Sequence, residues 1–137
     1  MTRDQPVPLV AASDVEVPPT VLAYFEAINS EAWESLAELW NDTSELHAVG
    51  TRPRRGRDEI LDYFNRAFAP WTAHADTPTR FIVSEMAVAV EIRFKGETES
   101  SRVIEFDAID VFDLGPDGTI SRLSSWYDLA WVRTQLR

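Results

Sequence analysis

The chain has no cysteine, which excludes disulfides, thiolate metal centres and cysteine nucleophiles together. Histidine is almost as scarce, with only His47 and His74. They are separated by 26 intervening positions and have no supporting Glu-x-x-His spacing, so neither a metal site nor a cofactor is expected. Basic residues are few: 13 Lys and Arg face 23 Asp and Glu, for a formal net charge of -10. That field repels phosphate backbones and anionic lipid, so nucleic acid and membrane are not expected partners. No apolar run approaches transmembrane length, and the opening Met1-Thr2-Arg3-Asp4-Gln5-Pro6 lacks the apolar stretch of a signal peptide. The reading is a soluble cytoplasmic protein without repeats or low-complexity segments.

Apolar residues make up 45% of the 137, with five Trp, seven Phe and three Tyr, enough to build one core and wall a pocket. Residues 1–18 mix Pro6, Pro8 and Pro18 with Asp and Ser and read as an irregular arm before a single domain over 19–137. Pro19 opens a helix carrying Val21, Leu22, Phe25 and Ile28, stopped at Asn29-Ser30. A second helix follows, with Trp33, Leu36, Leu39 and Trp40 as its stripe and Asn41-Asp42 as its end. Glu45 to Val49 reads as a strand, Gly50 to Gly56 as a loop, and Asp58 to Phe68 as a third helix closed by Pro70. Strands are expected over 79–84, 86–94, 102–114 and 119–127, then a short helix over 129–136 capped by Asp128. Helices first and a meander after them argue an α+β fold.

Asp110 stands out on the long strand. Alternation puts it on one face with Phe106, Ala108, Phe112 and Leu114, while Glu105, Asp107 and Asp113 fall on the other. A carboxyl on an apolar face loses hydration, its pKa rises, and when protonated it becomes a hydrogen-bond donor. A core hydrogen bond to a neighbouring strand or a Tyr hydroxyl accounts for it equally well.

Three stretches then fall in order: Ala23-Tyr24-Phe25-Glu26-Ala27-Ile28-Asn29, Val49-Gly50-Thr51-Arg52-Pro53-Arg54-Arg55-Gly56, and Ile109-Asp110-Val111-Phe112, followed by a last strand ending Trp126-Tyr127-Asp128. The chain thereby resembles the ketosteroid isomerase and SnoaL-like polyketide cyclase superfamily, related in fold to nuclear transport factor 2, over residues 19 to 130. The resemblance implies a cone-shaped barrel, with three N-terminal helices packed on a strongly curved, mostly antiparallel sheet. It implies Tyr24 and a protonated Asp110 as donors to a substrate oxyanion, and it places His47 where the isomerase has its proton-moving Asp. An imidazole there is a competent base at neutral pH, although an ordinary strand histidine is the plainer reading.

Phe106, Phe112, Trp40, Phe64 and Tyr127 are expected as cavity walls, with Ser125 and Tyr127 on the pocket face of the last strand. The related epoxide hydrolases use an Asp-Arg-Asp set, whose other two positions fall here on Ala108 and Ser125. His74, in a loop-like stretch, reads as a surface residue. Arg52, Arg54, Arg55 and Arg57 could receive an anionic ligand or simply pair with nearby acids. The implied function is cofactor-free acid-base chemistry on a steroid-, polyketide- or terpenoid-like carbonyl compound, by isomerisation, aldol-type cyclisation or dehydration. The alternative is a non-catalytic module of the same fold that binds a ligand or a protein. A homodimer through the outer sheet face around Trp126 is expected from the resemblance.

Overall fold

Pro18 and Pro19 pre-set the backbone for a helix start, and the Pro18 carbonyl accepts from Val21 N–H at 3.0 Å. Helix α1 runs Pro19–Ser30 and ends at Glu31, which takes the left-handed conformation at φ 52°. A computed structural model describes residues 16–137. Most of the stretch read as an arm lies outside the described residues, but Val17 is buried in the core.

Helix α2 is shorter than its apolar stripe suggests and covers only Trp33–Ala37. Trp40 instead begins strand β1, Trp40–Ala48. The guanidinium of Arg57 fixes this break by donating to the Ala37 carbonyl at 2.9 Å and, through Nη2, to the Trp40 carbonyl at 2.6 Å. The buried Ser44 hydroxyl accepts from Asn41 N–H and donates to the Ile120 carbonyl at 2.6 Å. That pins an irregular register between Trp40 and Glu45.

The two-residue strand β2, Arg54–Arg55, pairs with β1 inside the stretch read as a loop. Helix α3 spans Arg57–Phe68, with Asp58 and Glu59 complementing its N-terminus. Strands β3 (Trp71–Val83), β4 (Ala87–Thr98), β5 (Val103–Leu114) and β6 (Ile120–Tyr127) form the expected antiparallel meander, and α4, Leu129–Leu136, closes the chain. The Asp128 carboxylate caps α4 by accepting from Trp131 N–H at 3.0 Å, as expected.

The order β2-β1-β6-β5-β4-β3 defines one mixed six-stranded sheet, antiparallel except where β1 runs parallel to β6. The α+β class holds. The expected barrel does not, because β2 and β3 do not pair and leave the sheet open among the described residues. Among the described residues there are four helices, and β1 and β2 separate the third from the first two. The core lies between α1, α2 and α3 and the inner face of β4, β5 and β6.

Strand β3 begins eight residues earlier than expected, at Trp71 where Thr79 was predicted. Pro78 disguises it. Proline removes a ladder donor and is tolerated only at edges and irregularities. Pro78 has both, since β3 is an edge strand whose register shifts between Pro78 and Arg80.

Candidate functional site

Alternation on β4, β5 and β6 turns Ile92, Phe94, Phe106, Ala108, Leu123 and Tyr127 to one side. With α1, α3 and α4 they enclose a cavity of about 430 Å³. Three different elements bring Tyr24, Asp76 and Asp110 into this largely apolar lining, whose other titratable residues are Tyr63, Tyr127 and Arg133.

Asp110 sits where alternation places it, 3% exposed, between Val90 of β4 and Ser125 of β6. Burial, followed by the charge of Asp76, pushes its carboxyl up to about 7, against the opposing pull of a hydrogen bond from Ser125. Tyr24 projects from α1 and is packed edge-on by Phe25, Phe112, Phe64 and Trp40, at centroid distances of 5.0 to 6.4 Å. Burial first, then Asp110 and Asp76, raise its phenol well above the ordinary value, so it remains an O–H donor.

Asp76 is the residue sequence reasoning missed. Its backbone is held on both sides by Asn29 of α1: Asp76 N–H donates to Asn29 Oδ1 at 2.8 Å, and Asn29 Nδ2 donates to the Asp76 carbonyl at 2.9 Å. Burial raises its carboxyl to about 6, and His74 pulls the other way.

His74, two residues earlier on the same face, is not a surface loop residue. Its side chain is 3% exposed, packs at a tilt against the Phe68 ring at a centroid distance of 4.6 Å and engages Glu31 Oε2 through Nε2 at 2.7 Å. The opposite nitrogen, Nδ1, is buried without a partner among the described residues.

His47 is not at the cavity, and its expected place there is corrected. Leu46 and Ala48 line the cavity, so the residue between them faces the other side of β1. There His47 Nε2 meets Glu45 Oε1 at 2.8 Å, and Glu45 also pairs with Arg55 at 3.4 Å.

Among the expected wall residues, Phe64, Phe106, Tyr127 and Ser125 do line the cavity. Phe112 and Trp40 do not. Both are fully buried behind Tyr24, where they support its ring from the core. Tyr63, not anticipated, also lines the cavity; burial pushes its phenol up to about 12, and Arg54 lies over its ring at 5.3 Å.

The arginine-rich stretch is absorbed locally. Arg52 pairs with Glu59, Arg55 with Glu45, and Arg57 with the carbonyls after α2. None of these arginines lines the cavity. Among the described residues no three of His, Asp and Glu gather as metal ligands would. On the opposite face of the sheet Trp126, 52% exposed, stands opposite Ile109, 42% exposed.

A search of curated proteins finds no match. Solved structures are similar at low identity. A Catenulispora acidiphila protein with a ketosteroid isomerase-like fold, solved with trimethylamine, aligns at TM-score 0.78 and 17% identity, covering 87% of this chain and 92% of that one. IdmH from Streptomyces antibioticus, a candidate polyketide cyclase, aligns at 0.75 and 22%, covering 85% and 95%. An LEH-like epoxide hydrolase from M. tuberculosis aligns at TM-score 0.74 and 18% identity, covering 87% of each chain. At these identities the likeness carries the fold. The model of the SnoaL-like domain matches residues 21–123, and the chain belongs to that family.

Proposed function

We propose that this chain is a cofactor-free enzyme that performs acid-base chemistry on a small apolar carbonyl compound of the steroid, polyketide or terpenoid kind. The observation that carries the reading is the convergence of Tyr24, Asp76 and Asp110 on one apolar cavity. Two carboxyls whose surroundings differ divide the work of acid and base between them. Asp110, the more deeply buried, keeps its proton and, with the Tyr24 hydroxyl, donates to the substrate carbonyl oxygen. Asp76, ionised above about 6, takes the proton from the adjacent carbon.

Return of that proton to another carbon of the enolate isomerises the substrate. Attack of the enolate carbon on a second carbonyl forms a carbon–carbon bond, and the Asp76 proton then goes to the new alkoxide. The candidate cyclase among the similar structures favours this second route. Epoxide opening by an Asp-Arg-Asp set is not supported, since the corresponding positions are Ala108 and Ser125. Activity should rise with pH as Asp76 ionises near 6 and fall as Asp110 loses its proton near 7.

The test is fluorescence titration of a 2-naphthol, an oxyanion mimic, into wild type, Asp110→Ala, Tyr24→Phe and His47→Gln. Loss of either donor should cost about 1 to 3 kcal/mol of binding, while His47→Gln should bind as wild type does. Binding that is absent, or indifferent to both donor substitutions, overturns the reading in favour of a non-catalytic module.

A further inference from the structure

We infer that the mouth of this cavity is an anion subsite and that its ligand carries a carboxylate at the end away from the reacting carbonyl. The inference rests on the small-molecule reading of the cavity and adds the substrate class. Helix α4 covers the cavity with Leu129, Val132 and Leu136 from its apolar side, and Arg133 stands among them as the one cationic residue in the lining. The acidic residues of the lining are Asp76 and Asp110, and Asp110 is two residues along β5 from Ala108, which pairs with Tyr127.

Arg133 has no carboxylate partner among the described residues, whereas Arg52, Arg55, Arg66, Arg80 and Arg93 are paired with acids and Arg57 is taken up by backbone carbonyls. In a chain with ten more negative than positive charges, an unpaired guanidinium at a cavity rim is a conspicuous place for an anion. It lies close enough to the Tyr127 phenol to oppose the rise that burial imposes on it. Guanidinium and hydroxyl together offer a carboxylate one charged fork and one neutral donor.

The geometry sets the ligand's length. Ser125 is opposite Asp110, and Tyr127 is two residues further along β6, opposite Ala108. Two strand residues span about 7 Å, which sets the order of the separation between the carbonyl end and the anion end.

Helix α4 is held at this distance by its own contacts with the start of β5. Gln135 exchanges two hydrogen bonds with the Glu105 backbone, at 3.1 and 2.8 Å, and Arg102 donates to the Gln135 carbonyl at 3.1 Å. The subsite is thus on a fixed element. A ligand entering carboxylate last would place its apolar body against Phe106 and Phe94 and its ketone between Asp110 and Asp76.

The probes are 6-oxo-6-(2-naphthyl)hexanoic acid and its methyl ester, titrated against the intrinsic fluorescence that Trp71 contributes from the cavity wall. Wild type should bind the acid roughly tenfold tighter than the ester at low salt, as expected for a partly screened charge-assisted pair, and the margin should shrink as salt is raised. Arg133→Gln should erase the margin and leave ester affinity unchanged, and Tyr127→Phe should reduce it. Equal binding of acid and ester by wild type overturns the anion subsite and leaves the small-molecule cavity standing. Failure of wild type to bind either probe overturns both. A margin that survives in Arg133→Gln, with an unchanged circular dichroism spectrum, shows that Arg133 is not its source and overturns the assignment.

Discussion

Asp110→Asn is expected to stabilise the protein at neutral pH and leave it nearly unchanged in mild acid. The carboxyl moves from an ordinary 3.8 to about 7 on folding, and at about 1.36 kcal/mol per pH unit this disfavours the ionised folded form by roughly 4 kcal/mol. With 3% exposure there is little water to screen it. Between those two values the folded chain holds a proton that the unfolded chain has released. Stability therefore falls as pH rises through the window and levels off above it.

Part of the shift belongs to the charge of Asp76, and Asn forfeits some of the hydrogen bonding that the protonated carboxyl enjoys, so the net gain for the variant should be about 2 to 4 kcal/mol. Urea unfolding followed by tryptophan fluorescence, from about pH 4 to about pH 8, measures it, and the difference between the two proteins cancels the titration of the carboxylates that do not interact with Asp110. The variant should match wild type within about 1 kcal/mol at the acid end and exceed it by the stated amount at the other. A difference constant to within about 0.5 kcal/mol across the range would refute the argument from burial.

Two further outcomes follow from other parts of the molecule. His74→Gln should move the titration of the Asp76 carboxyl above about 6, because His74 opposes the rise caused by burial; ¹³C NMR of the Asp76 carboxyl, assigned by its loss in Asp76→Asn, reads this directly, and an unmoved titration excludes His74 as a tuning group. If a second copy covers the outer sheet face, wild type should sediment at twice the chain mass and Trp126→Glu, at an exposed position of that face, at the chain mass; a monomeric wild type removes the expectation.

The fold was readable where local signals and burial agree. The caps of α1 and α4, the meander from β4 to β6 and the inward face of β5 all follow from Pro19, Asp128 and strict alternation around Asp110. Errors arose where a distant side chain overrules a local pattern. Trp40 keeps helical spacing with Trp33 and Leu36, yet Arg57, 17 residues later, holds its carbonyl and lets β1 begin there. Pro78 reads as a breaker, and only its position on the edge strand makes a 13-residue β3 possible. Closure or openness of the sheet depends on which strands meet, and no short stretch of sequence states that.

The same division explains the site. Asp110 announced itself because four apolar neighbours share its face, whereas Tyr24 came from the resemblance alone. His47 was placed by resemblance alone, against the local evidence: Leu46, Ala48 and their alternation already assign the inner face of β1 and leave His47 outside. Asp76 lies in a segment whose strand was hidden by Pro78, so its inward direction could not be deduced until β3 was extended. Once it is, His74, Asp76 and Pro78 share the inner face. Positions two apart on an edge strand then bring a buried imidazole and a pocket carboxylate side by side, with Asn29 holding the backbone of one and Glu31 the ring of the other. Both anchors come from the end of α1, five to seven residues beyond Tyr24. One helix therefore supplies the phenol donor and positions the strand that carries the base, which makes the left-handed turn at Glu31 a structural requirement of the site as well as of the helix end.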